Sequence, residues 1–222
     1  MHKFIISGDG SHTLYHEELN ETYHSTHGAI QESMHVFIEM GLQQIQEKEI
    51  KILEIGFGTG LNAFLTALHH NTHPETQIEY HTLEPFPLPE SIYINLNFSE
   101  ILKVNEPEKR LFQLIHDLEW EETVQLTEGF QLKKQEKKLE DFNALNSFYD
   151  IVFFDAFAPN KQKEIWSVDN LSKCYTALKD NGIFVTYCSQ GQFRRNLESV
   201  GFKVNRIQGP PGKREMIRAF KN

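Results

Sequence analysis

An α/β fold, a mostly parallel sheet with helices on both faces, is predicted by three features of the sequence. From residue 51 onward, short apolar runs alternate with amphipathic stretches at helical spacing, the pattern of strands buried between two helical layers. A glycine-rich turn joins one of these runs directly to a helical stretch. Two C-terminal apolar runs flank a loop rich in Gly and Pro, which predicts an antiparallel pair.

Taken in order, Ile30, Met34, Phe37, Ile38 and Leu42 mark an N-terminal helix lying over the strand ends. Residues 51–55 read as a buried strand, 56–60 as a tight loop, and 61–69 as a helix with Leu61, Phe64, Leu65 and Leu68 on one side. Residues 78–83 form a second strand, closed at Glu84-Pro85 because proline restricts the residue before it and offers no N–H. Residues 99–140 are assigned no element. Residues 151–154 are a continuous apolar strand ending at Asp155, and 183–187 another, entered through the Asn181-Gly182 turn. Val168, Leu171, Tyr175 and Leu178 mark one helix face and Phe193, Leu197 and Val200 a second, which stops at Gly201. Residues 202–207 and 216–220 make the terminal pair.

The 222 residues show no repeat, low-complexity tract or linker, so a single domain over 1–222 is expected, with 1–48 as an N-terminal extension. A composition 39% hydrophobic and 24% charged excludes a disordered or collagen-like chain. No apolar run approaches the roughly 20 residues of a membrane span. The run Phe4-Ile5-Ile6 is too short for a signal peptide. A cytoplasmic location without a membrane partner is therefore expected. Cys174 and Cys188 lack Cys-x-x-Cys spacing, which gives neither a disulfide framework nor a thiolate zinc site. His12/His16, His24/His27 and His69/His70/His73 have spacings a metal could use, but no cysteine completes a set, and no metal is expected. Trp120 and Trp166 read as packing residues and 133–138 as a solvated face. Net charge is −9, which argues against a nucleic-acid partner. The average conceals an asymmetry: residues 161–222 carry 12 basic against 5 acidic residues, and residues 1–160 carry 10 against 26.

The informative motif is Glu54-Ile-Gly56-Phe-Gly58-Thr-Gly60, set between a strand and a helix. There, backbone N–H groups and the helix N-terminus face a ligand. The spacing fits neither the Gly-x-Gly-x-x-Gly of dinucleotide folds nor a phosphate loop. A Gly-x-Gly-x-Gly loop with an acid two residues before it resembles the S-adenosylmethionine loop of class I methyltransferases. Glu84, 24 residues after Gly60, ends the next strand, where a carboxylate can accept from both ribose hydroxyls. Asp155-Ala-Phe157-Ala-Pro159 follows the 151–154 strand, so Asp155 and the glycine loop should open on one crevice beyond the strand ends. This acid, aromatic and proline resemble the signature of amine-directed methyltransferases. Asp155 would accept a hydrogen bond from an amine and take its proton, with Phe157 packed on the acceptor.

More specifically, the chain resembles the MnmC-type methyltransferases that complete 5-methylaminomethyl-2-thiouridine at the tRNA wobble position. The resemblance rests on Asp9–Tyr15 (Asp-Gly-Ser-His-Thr-Leu-Tyr), Tyr23-His24-Ser25-x-x-Gly28-Ala29-x-x-Glu32-Ser33, Glu54-Ile-Gly-Phe-Gly-Thr-Gly-Leu-Asn62, Asp155 to Pro159, and Gly212-Lys213-Arg214-Glu215-Met216. It implies a Rossmann-like class I methyltransferase with a mostly parallel seven-stranded sheet and a C-terminal antiparallel hairpin. It implies S-adenosyl-L-methionine as cofactor, held by Glu54, Gly56, Phe57, Gly58, Thr59, Gly60, Asn62 and Glu84, with Glu32 and Tyr23 from the N-terminal extension. The catalytic group it implies is Asp155, Phe157 and Pro159, and Glu136 is expected as the acid near the adenine. The activity it implies is methylation of 5-aminomethyl-2-thiouridine. No second dinucleotide loop is present, so the FAD-dependent oxidase fused to many relatives is named as a separate candidate partner. The basic residues Arg194, Arg195, Lys203, Arg206, Lys213, Arg214 and Arg218 give the C-terminal segment a surface for an anticodon stem-loop, with Arg194, Arg195, Lys213 and Arg214 as its contacts. A flipped wobble base would stack near Phe157. Methylation of a small polyamine-like amine and a non-catalytic binding module are the alternative readings.

Overall fold

The computed structural model describes residues 2–222. Strands β1 (His2–Ile6), β2 (His12–His16) and β3 (Glu21–Thr22) form a small antiparallel sheet. Helix α1 (Ala29–Ser33) continues as a wider π-helical segment, Met34–Glu39, which buries Val36, Phe37 and Ile38. The main sheet contains β4 (Glu49–Ile55), β5 (Gln77–Leu83), β6 (Thr123–Thr127), β7 (Phe130–Gln135), β8 (Tyr149–Phe154), β9 (Leu178–Thr186), β10 (Lys203–Gln208) and β11 (Glu215–Phe220). Its order is β10-β11-β9-β8-β4-β5-β7-β6. The central pairs are parallel, and β6 with β7, β11 with β9 and β10 with β11 are antiparallel.

The class is the one expected, but the sheet has eight strands rather than seven. The added strand, β6, pairs with β7 through a turn in which Gly129 has φ +79°. Both strands lie in the stretch that carried no sequence assignment, and β6 leaves little pattern because only one of its residues, Leu126, is buried; helix α3 (Glu90–Tyr93) comes just before that stretch. That stretch also holds helices α4 (Phe98–Ile101) and α5 (Glu106–Asp117). The second had a legible start signal: Asn105 accepts from the Glu108 amide and the Glu108 carboxylate accepts from the Asn105 amide, a reciprocal cap.

Alternation explains the continuous apolar runs. Ile52, Tyr80 and Phe153 face one helical layer, containing α2 (Leu61–Thr72) and α5, while Leu53, Val152 and Phe154 face the other. With both faces covered, both sides of these strands are mostly apolar, with Glu54 and Thr82 as buried exceptions. The second layer contains α6 (Val168–Ala177) and α7 (Gly191–Val200). On α6 the expected face is rotated. Asn170, Leu171, Cys174 and Ala177 are buried, Val168 is exposed, and Leu178 already begins β9, where it pairs with Tyr149.

Bonds between strand ends set the crevice. The Asp155 amide donates to the Ile55 carbonyl at 2.9 Å, the Gly56 amide to Leu83 at 2.9 Å, and the Glu84 amide to Gln135 at 3.0 Å. The expected glycine turn, the second acid and Asp155 therefore emerge side by side at the carboxyl ends of three adjacent strands, β4, β5 and β8. Among the described residues, no helix is long and apolar enough to cross a membrane.

Candidate active site

Two of the loop glycines are required by close approach. Gly56 has φ +94°, and a Cβ there would lie 2.5 Å from the Asp155 carbonyl oxygen. Gly60 has φ +71°, and its Cβ would lie 2.7 Å from His116 Nε2. Thr59 between them is pinned from both sides. Its hydroxyl meets His24 Nε2 at 2.6 Å, and its carbonyl meets His116 Nε2 at 3.1 Å. Burial drives both imidazoles down, His24 to about 4 and His116 to about 3. Both are neutral near pH 7, and His116 must carry its proton on Nε2 to donate to a carbonyl. Stacked Tyr93 and edge-on Phe57 hold the His116 ring.

A cavity of about 720 Å³ opens beside this loop, with Tyr23, His24, Gly56, Gly58, Glu84 and Asp155 among the residues of its wall. Glu84 Oε2 accepts from the Gly58 amide at 3.0 Å and Oε1 from the Phe86 amide at 2.9 Å. Burial raises its carboxyl while these amides lower it. Each oxygen keeps a lone pair for a ligand hydroxyl. Glu136, expected to approach the adenine, is exposed and anchored by its amide to Glu121, and it does not reach the cavity. Glu140 and Asp141 line it instead, because the chain makes a 3-10 turn at Leu139–Asp141 after β7. The acids on the wall are thus four and five residues beyond Glu136 in the chain. The solvated face expected over 133–138 is also interrupted. Lys134 is buried, donates from Nζ to the His116 carbonyl at 2.5 Å at the end of α5, and lies over the Trp120 ring.

On the opposite wall, burial raises the Asp155 carboxyl to about 7, against the Asn62 Nδ2 donor at 2.8 Å, which lowers it. The Phe157 ring meets the Tyr23 ring edge-on at 4.8 Å, and both line the cavity. Trp166, read as a packing residue, also donates from Nε1 to the Phe157 carbonyl at 2.8 Å, so it holds the loop after Asp155. The Tyr187 hydroxyl donates to the Ala156 carbonyl at 2.8 Å. The hairpin between β2 and β3 brings His16, Glu18 and Leu19 to the rim, a contribution with no motif in the sequence. Lys161 ties that hairpin to the loop after Asp155 by donating to the Asn20 carbonyl.

Other expected site residues stand apart from the cavity. Pro159 lies in the turn beyond Phe157 and outside the wall. Glu32 is buried and accepts from the Ser25 amide and from Lys213 Nζ. Lys213, expected on the RNA-facing surface, therefore turns inward, 2.5 Å from Glu32 and 3.9 Å from the Tyr187 ring centre. Arg218 is half-buried and donates to the Met40 carbonyl, and Arg206 pairs with Glu215. Arg194 pairs loosely with Glu198 at 3.9 Å, while Arg195 and Arg214 are exposed. Glu54 and Asn62 lie beneath the wall, in the layer between the sheet and α2. Among the described residues, no group of three or more His, Cys, Asp or Glu side chains could hold a metal ion.

A family profile described as S-adenosyl-L-methionine-dependent methyltransferase matches residues 111–222, half of the chain. The chain belongs to this methyltransferase family. The side-chain-free glycine cradle, the Glu84 carboxylate and the cavity volume fit that cofactor. This methyltransferase is 32% identical over 218 residues to the tRNA 5-methylaminomethyl-2-thiouridine biosynthesis bifunctional protein MnmC of Marinomonas sp., covering 90% of this chain and 31% of that protein. An uncharacterised protein of Methanocaldococcus jannaschii is 26% identical, with 100% and 60% covered. The chain thus spans about a third of the length of that bifunctional relative. The crystal structure of MNMC2 from Aquifex aeolicus superposes with a TM-score of 0.80 at 28% identity, over 100% of this chain and 70% of that one. A spermidine synthase shares the fold, with a TM-score of 0.52 at 14% identity.

Proposed function

We propose that the protein transfers a methyl group from S-adenosylmethionine to the 5-aminomethyl group of 5-aminomethyl-2-thiouridine at the tRNA wobble position, giving 5-methylaminomethyl-2-thiouridine. The observation that carries this reading is the placement of Asp155 and the Phe157–Tyr23 ring pair on the wall of the cavity that the glycine loop borders. Gly56, Gly58 and Thr59 hold the cofactor through the loop, Glu84 takes its ribose, and Asp141 or Glu140 faces its adenine. When bound, the cofactor supplies an electrophilic methyl carbon on sulfur. An amine attacks only when neutral, and Asp155, with its carboxyl near 7, accepts the amine N–H and then its proton. Phe157 and Tyr23 stack the uracil ring and exclude water. The extension 1–48 serves as a cover over this site within one catalytic unit spanning 1–222.

Arg194, Arg195 and Arg214 are proposed to contact the anticodon-stem backbone, which positions the tRNA while the pocket specifies the base. An FAD-dependent oxidase acting on the same nucleoside is the proposed partner, and a cytoplasmic location goes with this substrate. Incubation with tritiated S-adenosylmethionine tests the reading. Label is expected in hypomodified tRNA, within the wobble nucleoside. Label in small polyamines with none in tRNA would transfer the assignment to a polyamine-type acceptor.

A further inference from the structure

Glu54 is fully buried, yet neither carboxyl oxygen has a hydrogen-bond partner. Three more orphaned polar atoms lie with it: the Asn62 side-chain oxygen, the Tyr80 hydroxyl and the Thr82 hydroxyl. All belong to side chains that face the Glu54 carboxyl, Tyr80 and Thr82 from β5 and Asn62 from the start of α2. The other half of the Asn62 amide is turned away, with one Nδ2 N–H donated to Asp155 Oδ2 at 2.8 Å. Buried polar groups in folded proteins are almost all paired, so five orphaned atoms on four residues of one cluster call for an explanation.

We propose that Glu54 is a positioning residue whose protonated carboxyl donates to the Asn62 side-chain oxygen and so fixes that amide with its NH2 group turned on Asp155. A protonated carboxyl has one O–H to give and retains oxygens that accept. It donates to Asn62 and accepts from the Tyr80 and Thr82 hydroxyls, which satisfies every orphan at once. An ionised Glu54 has no proton to give, and the Asn62 oxygen would stay unpaired. Turning the amide over would set that oxygen against the Asp155 carboxylate, an acceptor facing an acceptor. The surroundings favour the neutral form. Burial is the largest influence and raises Glu54 to about 8 together with the nearby Asp155 carboxylate, outweighing the Thr82, Asn62 and Tyr80 side chains, which lower it. Asp155 in turn is raised by Glu32 and lowered by Lys213, while Tyr187 and Tyr80 lie close with hydroxyls kept neutral by burial. In this arrangement Glu54 does not touch the cofactor, although its place before the glycine loop suggested that it does. Its effect reaches the substrate side through Asn62.

The inference depends on the proposed role of Asp155 only for its kinetic consequence. Infrared spectroscopy of the ligand-free protein at pH 7 tests it directly. A protonated-carboxyl band is expected in the native protein and is expected to be lost in Glu54→Gln. The Gln amide also donates to Asn62, so this variant should keep kcat and the cofactor Kd within about twofold, with the acid limb of the kcat–pH profile unmoved. Glu54→Leu removes the donor. It should lower kcat about tenfold and move the acid limb up by about one pH unit, because Asp155 loses an oriented N–H that favours its charged form. A missing band overturns the inference. So does a tenfold weaker cofactor Kd in Glu54→Gln by calorimetry, which would make Glu54 an ionised cofactor ligand. If Asp155→Asn leaves kcat unchanged while the band is present, the base assignment fails and the protonated Glu54 stands.

Discussion

Asp155 carries two separate demands on one residue. Its carbonyl is the atom that a side chain at position 56 would strike, and its carboxyl sits near 7, where it can accept and release a proton at neutral pH. Asp155→Asn should therefore reduce kcat by about 10²-fold, the low end for loss of a proton acceptor. Calorimetry should show the cofactor Kd within about threefold of the native value. Equal loss of both would make Asp155 a cofactor ligand. Gly56→Ala addresses the other demand. Strain at positive φ alone costs about 2 kcal/mol, so Tm should fall by about 5 °C. Cofactor binding should fall with it, because the loop and the Asp155 backbone must separate.

At the scale of elements, the site is a set of strand ends and the props that hold them. Trp166, just before α6, supports the loop after Asp155 through the Phe157 carbonyl. Trp166→Phe keeps most of the ring volume and removes that bond, at a cost of about 1 kcal/mol. The expected outcome is a higher KM for the amine acceptor with an unchanged cofactor Kd, because Phe157 is the residue proposed to pack on the acceptor. Legibility also varied by element. The strand-loop-helix unit at 51–69 was readable because both strand faces are apolar and the glycines interrupt the pattern at one point. Strand β6 was not, since an edge strand buries little and so leaves little pattern. The face of α6 was misplaced because Asn170 is buried through bonds to Glu140 and the Glu164 carbonyl, whereas Val168 is exposed.

Over the whole molecule, charge is distributed rather than averaged. The net charge of −9 coexists with exposed Arg195 and Arg214 in the C-terminal segment. Arg195→Glu combined with Arg214→Glu should raise KM for tRNA about tenfold at low salt, flatten its salt dependence, and leave the cofactor Kd unchanged. Stability should also depend on pH in a definite direction. Glu54 has an unfolded value near 4.5 and a folded value of about 8. The folded state therefore binds more protons between these values, and stability falls as pH rises through that window. The native Tm should drop more between pH 5 and pH 8 than that of Glu54→Gln, which has no proton to lose. Parallel slopes for the two proteins would show Glu54 ionised throughout.

The amino-acid sequence by itself determined the α/β class, the glycine turn between β4 and α2, and the two acids that end neighbouring strands. Each of these is a local pattern of side-chain period or backbone freedom. The tertiary structure decided which charged residues face the cavity. Lys213 folds inward onto Glu32, Asp141 and Glu140 rather than Glu136 line the cavity, and Glu54 is buried beneath the glycine loop. Those outcomes depend on contacts between residues far apart in the chain, as with Lys213 and Glu32. Burial and pairing are properties of such contacts, and no spacing along the chain encodes them.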